Sequence, residues 1–138
     1  MELKWIDEGF AASSQVPLDA VPDIAAAGIT MIITNRPDGE DHGQPTSAEM
    51  EAAAKAAGIA YRFIPVSAGQ LSQVEVDAME EALAVAGGPV LGYCRAGVRS
   101  VFLWALARAK AGDDPQEITR KAARAGYDIS PIAPFLKR

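Results

Sequence analysis

Pro89-Val90-Leu91-Gly92-Tyr93-Cys94-Arg95-Ala96-Gly97-Val98-Arg99-Ser100 passes from a short apolar run through a glycine-bearing turn. The residues that follow, Val101-Phe102-Leu103-Trp104-Ala105-Leu106-Ala107, are too uniformly apolar for a surface helix. The stretch reads as a buried strand, a tight loop and a helix at the centre of the core. Backbone N–H groups between such a strand and helix can curl inward as an anion-binding nest, with Gly97 free to take a positive φ. Cys94 falls at the carboxyl end of the strand, where parallel sheets bind their ligands.

Working outward, the same alternation recurs. Residues 17–27 read as a helix closed by Gly28, and Ile29-Thr30-Met31-Ile32-Ile33-Thr34 as a buried strand. Residues 36–45 hold two prolines and two glycines and form a sizeable loop at that strand's end. Thr46-x-x-Glu49 and Ser72-x-x-Glu75 are capping-box patterns opening a second helix, which runs to Gly58, and a third, which runs to Gly87-Gly88. Tyr61-Arg62-Phe63-Ile64 is the strand between them. Pro115 opens a last long helix ending near Ala125-Gly126, and residues 130–138 add a terminal turn. The expected fold is α/β: a single three-layer domain spanning residues 1–138, with a mostly parallel central sheet of about four to five strands flanked by helices.

Composition bounds the chemistry. The chain has 138 residues, 49% hydrophobic and 22% charged, which suits one core of ordinary size. Thirteen basic against 18 acidic residues give a net charge of −5, with no basic footprint for nucleic acid or an anionic membrane, so neither is expected as a partner. The single cysteine excludes an internal disulfide and a multi-thiolate zinc site, and no metal or cofactor is expected. The first eight residues lack a basic-then-apolar leader pattern and no apolar run approaches the roughly 20 residues that span a bilayer, so the cytoplasm is the expected compartment.

A lone cysteine is by itself a small buried hydrophobe. Cys, Gly and Arg at fixed offsets between a β-run and an apolar helix point instead to a reactive loop. The helix N-terminus and the Arg99 guanidinium would favour negative charge on the Cys94 sulfur, and Arg99 can grip two oxygens of a bound anion. Arg95, Ala96, Gly97 and Val98 complete the oxyanion loop; Ser100 is placed to cap the helix or donate to the sulfur, and Arg95 to point into solvent.

Asn35-Arg36-Pro37-Asp38-Gly39-Glu40, Ile64-Pro65-Val66, Tyr93 to Ser100 and Ala125-Gly126-Tyr127-Asp128 together resemble the beta-lactamase-hydrolase-like, phosphatase-like domain family. The resemblance covers nearly the whole chain. It implies a fold like that of dual-specificity and tyrosine phosphatases, in which a cysteine attacks a phosphate ester and a phosphocysteine intermediate is hydrolysed. Carried over, Cys94 is the nucleophile and Arg99 the oxyanion clamp.

Two features depart from that pattern. Phosphatases of this fold span seven residues from Cys to Arg inclusive, whereas Cys94 to Arg99 spans six, a length similar to the active loop of rhodanese sulfurtransferases. The general acid of dual-specificity phosphatases follows an Ile-Pro-Val-type strand end, where this chain has Ser67-Ala68-Gly69-Gln70 and no carboxylate. Asp38, Glu40 and Asp41 are the candidates to replace it, Asp38 foremost, with Arg36 as an accessory residue; a polar loop in which Asp38-Gly39 turns and Arg36 pairs with an acid is the alternative. His42 is a further acid–base candidate but reads as solvated surface. Phe102 and Trp104 are assigned to the core and Tyr93 to orienting the loop, while Trp5 and Tyr127 carry no functional signal.

Three readings follow: a cysteine-dependent phosphatase-like hydrolase acting on a phosphoester, a rhodanese-like sulfurtransferase carrying a persulfide on Cys94, and a non-catalytic oxyanion-binding module. All take a small-molecule, phosphoester or persulfide ligand. The extent of the resemblance favours the first.

Overall fold

The computed structural model describes residues 1–67 and 69–137. Five strands, β1 (Lys4–Asp7), β2 (Phe10–Ser13), β3 (Met31–Thr34), β4 (Ala60–Phe63) and β5 (Val90–Tyr93), form one sheet in the order β1-β2-β5-β3-β4. β2, β5, β3 and β4 run parallel, and β1 pairs antiparallel with β2 at one edge. The helices are α1 (Val21–Ala26), α2 (Ser47–Ala56), α3 (Gln73–Val85), α4 (Val98–Ala111) and α5 (Pro115–Arg124), with short 3₁₀ turns at Leu18–Ala20 and Ser130–Phe135. Among the described residues no helix is long and apolar enough to cross a membrane.

Side chains alternate across the strands and fill two cores. Phe10, Ala12, Met31, Ile33 and Val90 face α3, α4 and α5; Ala11, Ile32, Leu91 and Tyr93 face α1 and α2. Each fully buried Ile or Leu of these strands contributes roughly 1.5–3 kcal/mol relative to exposure. The expectation for α4 holds: Val101, Leu103, Trp104, Ala105 and Ala107 are all at most 1% exposed. Phe10 reaches across β5 to stack on Trp104, ring centroids 6.0 Å apart at 13°. That crossing explains Gly92, where a Cβ would stand 3.0 Å from Phe10 Cζ and 3.3 Å from Asn35 Oδ1.

The N-terminal hairpin is the part the residue pattern does not announce. Phe10-Ala11-Ala12-Ser13 has no β-branched residue, yet all four are buried because β2 lies inside the sheet beside β5. Asp7 helps to turn the chain into it, its Oδ1 accepting from Gly9 N–H at 2.9 Å. The first predicted helix is split into the 3₁₀ turn and the short α1, and the predicted strand at 29–34 is trimmed to β3. The last predicted segment folds as the Ser130–Phe135 turn, with Arg138 outside the described residues.

Both capping predictions hold. Glu49 Oε1 accepts from Thr46 N–H at 2.9 Å while Thr46 Oγ1 accepts from Glu49 N–H at 3.1 Å. Glu75 Oε1 accepts from Ser72 N–H at 2.9 Å and from its hydroxyl at 2.8 Å.

This topology sets the site. Ser13 and Thr34 both lie in register with Tyr93 across the sheet, so β2, β3 and β5 end level with one another. Asn35 N–H donates to Tyr93 O at 2.8 Å and Cys94 N–H to Ser13 O at 3.4 Å, which ties the three exits together around Cys94.

Candidate active site

Cys94 is 1% exposed and is joined to α4 by a loop of three residues. Gly97 stands just ahead of α4 at φ 91°, the left-handed conformation that glycine adopts without a steric penalty. Its N–H donates to Cys94 Sγ at 3.1 Å. The sulfur therefore sits before the N-terminus of a 14-residue helix, the end that favours negative charge. Arg95 and Ala96 are exposed, and Val98 opens the helix on the solvent side. Ser100 is fully buried, and its hydroxyl has no partner among the described residues.

Arg99 is half-fixed from one side. Its Nη1 donates to Glu40 Oε2 at 2.8 Å and to Val66 O at 2.6 Å, and its Nη2 donates to Glu40 Oε1 at 2.8 Å. A guanidinium has five N–H donors. These three contacts use both donors of Nη1 and one of Nη2, leaving Nε and the other Nη2 donor, the pair that grips an oxyanion side-on. Glu40 raises the Arg99 pKa foremost by its hydrogen bond, against desolvation by burial, and the Cys94 sulfur adds a Coulombic and a hydrogen-bonding contribution in the same direction.

Glu40 is itself held by Arg36, which is 2% exposed. Arg36 Nε donates to Glu40 Oε1 at 3.0 Å, Nη1 to Gln15 Oε1 at 2.8 Å and Nη2 to Asp41 Oδ2 at 2.7 Å. Asp41 also faces Arg95, whose Nε is 3.4 Å from Oδ2 although the side chain is 69% exposed. The pairing of Arg36 with acids of its own loop, the alternative reading of that loop, is thus present. It gives the 36–41 segment a buried anchor and brings Glu40 and Asp41 to the Cys94 loop. Arg99, and Arg36 after it, hold the Glu40 carboxyl below its ordinary pKa; Arg36 does the same for Asp41 through a hydrogen bond.

Asp38 stands apart from this cluster. Its Oδ1 accepts from Ser47 N–H at 2.7 Å and its Oδ2 from the Ser47 hydroxyl at 3.3 Å, at the start of α2. Gly39 makes the turn at φ 74° that separates Asp38 from Glu40. His42 is exposed. In the segment after β4, Ser67, Gly69 and Gln70 are exposed and Ala68 lies outside the described residues.

Behind the loop, Tyr93 accepts a 2.7 Å hydrogen bond from Thr34 Oγ1, which in turn accepts from Tyr61 at 2.8 Å, and burial raises the pKa of both phenols. Tyr93, assigned from sequence to orienting the loop, is tied by the Thr34 bond to the end of β3. Two contributors escape the residue pattern. Gln15 reaches Arg36 from the exit of β2, the strand that composition conceals. Tyr127, credited with no signal, sets its hydroxyl where a Cβ on Gly97 would collide with it.

The arrangement offers a buried sulfur facing a helix N-terminus, a guanidinium edge beside it, and carboxylates that act as acceptors. It suits nucleophilic attack on the central atom of a small oxyanion.

The sequence model of the family described as beta-lactamase hydrolase-like protein, phosphatase-like domain, matches residues 2–111. A beta-lactamase hydrolase-like protein of Xylella fastidiosa is 34% identical over 139 residues, covering 100% of this chain and 32% of its own length. The chain therefore spans about a third of the curated relatives it matches. The structure of a candidate phosphatase from Neisseria meningitidis superposes with a TM-score of 0.84 at 33% identity, covering 99% of this chain and 97% of that one. PTPMT1 shares the fold at 17% identity, with a TM-score of 0.76 over 99% of this chain and 92% of that one. With the family model, the curated relatives and the solved structure in agreement, the chain belongs to the beta-lactamase hydrolase-like protein, phosphatase-like domain family.

Proposed function

We propose that this domain is a cysteine-dependent phosphatase-like hydrolase. The observation that carries the reading is the joint placement of Cys94 Sγ against the Gly97 N–H and of the Arg99 edge that Glu40 and Val66 leave open, beside that sulfur, in a fold shared with phosphatases. The Cys94 thiolate attacks phosphorus, an S–P bond forms and the P–O bond to the leaving group breaks. Loop N–H groups and Arg99 hold the non-bridging oxygens throughout. Water then attacks the phosphocysteine, the S–P bond breaks with its electron pair returning to sulfur, and inorganic phosphate departs.

The carboxylates near the loop limit what leaves. Glu40 and Asp41 are held ionised by arginines and serve as acceptors, while Asp38 is turned away to Ser47 at the start of α2. A general acid contributes typically ~10²–10⁴-fold. Without that help, aryl and other activated phosphoesters are the favoured substrates, since their leaving oxygen departs unprotonated. Turnover of p-nitrophenyl phosphate by the wild type, and its loss in Cys94→Ser, tests the assignment; release unchanged in that variant would refute it.

Sulfur transfer is the second reading, supported by the six-residue span from Cys94 to Arg99 and by the shortage of a proton donor. It predicts a Cys94 persulfide after thiosulfate treatment. The likeness to a phosphatase structure supports the hydrolase reading as the first.

A further inference from the structure

Tyr127 lies after α5, beyond the residues 2–111 that match the family. Its ring nevertheless ends at the Cys94 loop. A Cβ built on Gly97 would collide with Tyr127 Oη and stand 3.2 Å from Tyr127 Cζ and 3.4 Å from Ser13 O. In an inward-curled nest the N–H groups face the ligand and the Cβ directions point away. Tyr127 and Ser13 O therefore close the outer side of the loop, while the Gly97 N–H on the inner side donates to Cys94 Sγ. The Tyr127 hydroxyl has no hydrogen-bond partner among the described residues, so its contribution is the space it fills. Burial, and then the nearby Cys94 sulfur, keep the phenol neutral by raising its pKa.

We infer that Tyr127 is a positioning residue for the Cys94 loop, a buttress against Gly97 that keeps the Gly97 N–H aimed at the nucleophile and at the anion it attacks. Only glycine fits between the phenol and the sulfur, both because of its φ and because of the phenol behind it. The segment after α5 is thereby part of the reactive unit. This rests on the reading of Cys94 as a nucleophile in an anion-binding loop.

The test measures Cys94 alkylation by iodoacetamide at neutral pH, and its protection by inorganic phosphate, in wild type, Tyr127→Phe, Tyr127→Ala and Gly97→Ala. Removing the support behind a reacting group is expected to weaken phosphate protection about tenfold in Tyr127→Ala and less in Tyr127→Phe. Urea midpoints for Tyr127→Phe should match wild type, because its hydroxyl holds no partner. Adding Tyr127→Ala to Gly97→Ala should recover part of the protection that Gly97→Ala alone removes. Tyr127 variants indistinguishable from wild type in protection, together with no recovery in the double variant, would overturn the inference. Absence of phosphate protection in the wild type itself would instead sink the phosphatase reading, leaving the Cys94 alkylation rates to judge Tyr127: a rate changed in Tyr127→Ala would keep the inference and rates equal to wild type would overturn it.

Discussion

Arg99 and Glu40 meet face to face, Nη1 donating to Oε2 and Nη2 to Oε1, each at 2.8 Å, so the guanidinium is oriented before any substrate arrives. Charge-assisted bidentate pairs are about twice as strong as neutral hydrogen bonds and fix geometry as well. Glu40→Gln keeps the shape and removes the charge. It should lower kcat/KM for p-nitrophenyl phosphate about tenfold, which corresponds to about 1.4 kcal/mol of lost transition-state stabilisation. An unchanged or raised kcat/KM would show that Glu40 instead competes with the substrate for Arg99.

Arg36 stands behind Glu40. Removing it leaves Glu40 and Asp41 without their shared donor and Gln15 without a partner for its side-chain oxygen. Because both carboxylates retain some access to water, Arg36→Met should destabilise by about 2–4 kcal/mol, toward the lower end for breaking a buried ion pair. Urea unfolding checks this, and a midpoint equal to wild type would contradict it.

Acid should loosen the same cluster. The Glu40 pKa is lowered in the folded chain, so its stabilising contribution is complete above the ordinary carboxylate pKa and is lost as pH falls through the lowered folded value. The stability difference between wild type and Glu40→Gln should therefore be largest at neutral pH and shrink below the ordinary carboxylate range. Urea midpoints measured across that range decide it; a difference that grows toward acid would reverse the sign.

Gly92 is fixed by packing rather than by backbone conformation. An added methyl would press on the Phe10 ring that stacks against Trp104. Gly92→Ala should cost about 1–3 kcal/mol, the usual range for overpacking a filled core. A variant as stable as wild type would mean that the ring can shift freely.

Leaving-group dependence follows from the ionised acids. Across a series of aryl phosphates, kcat/KM should rise steeply as the leaving phenol becomes more acidic. A flat series would require a protonated donor.

Much of this was legible from residues alone because local chemistry and tertiary demand agree. The β5–loop–α4 stretch combines apolar runs, a glycine and an apolar helix, and both capping boxes are written in their side chains. β2 was illegible for the converse reason: two alanines and a serine carry no strand preference, and only the neighbouring β5 makes them one. Gln15, at the exit of that strand, is hidden with it. Asp38 illustrates a different limit, since three acids in one loop look alike in sequence and only the turn at Gly39 sends Asp38 to α2 and Glu40 to Arg99. Tyr127 meets Gly97 from the far side of α4 and α5 in the chain, a proximity that no periodicity encodes.

The most direct test of the central claim is rapid-quench intact-mass analysis of the wild type and Cys94→Ser during turnover of p-nitrophenyl phosphate. The account predicts one phosphoryl group on the wild-type protein, mapped to Cys94, and none on the variant. Phosphate release with no phosphoryl adduct on Cys94, or a sulfur adduct from thiosulfate with no phosphoryl adduct from the ester, would contradict it.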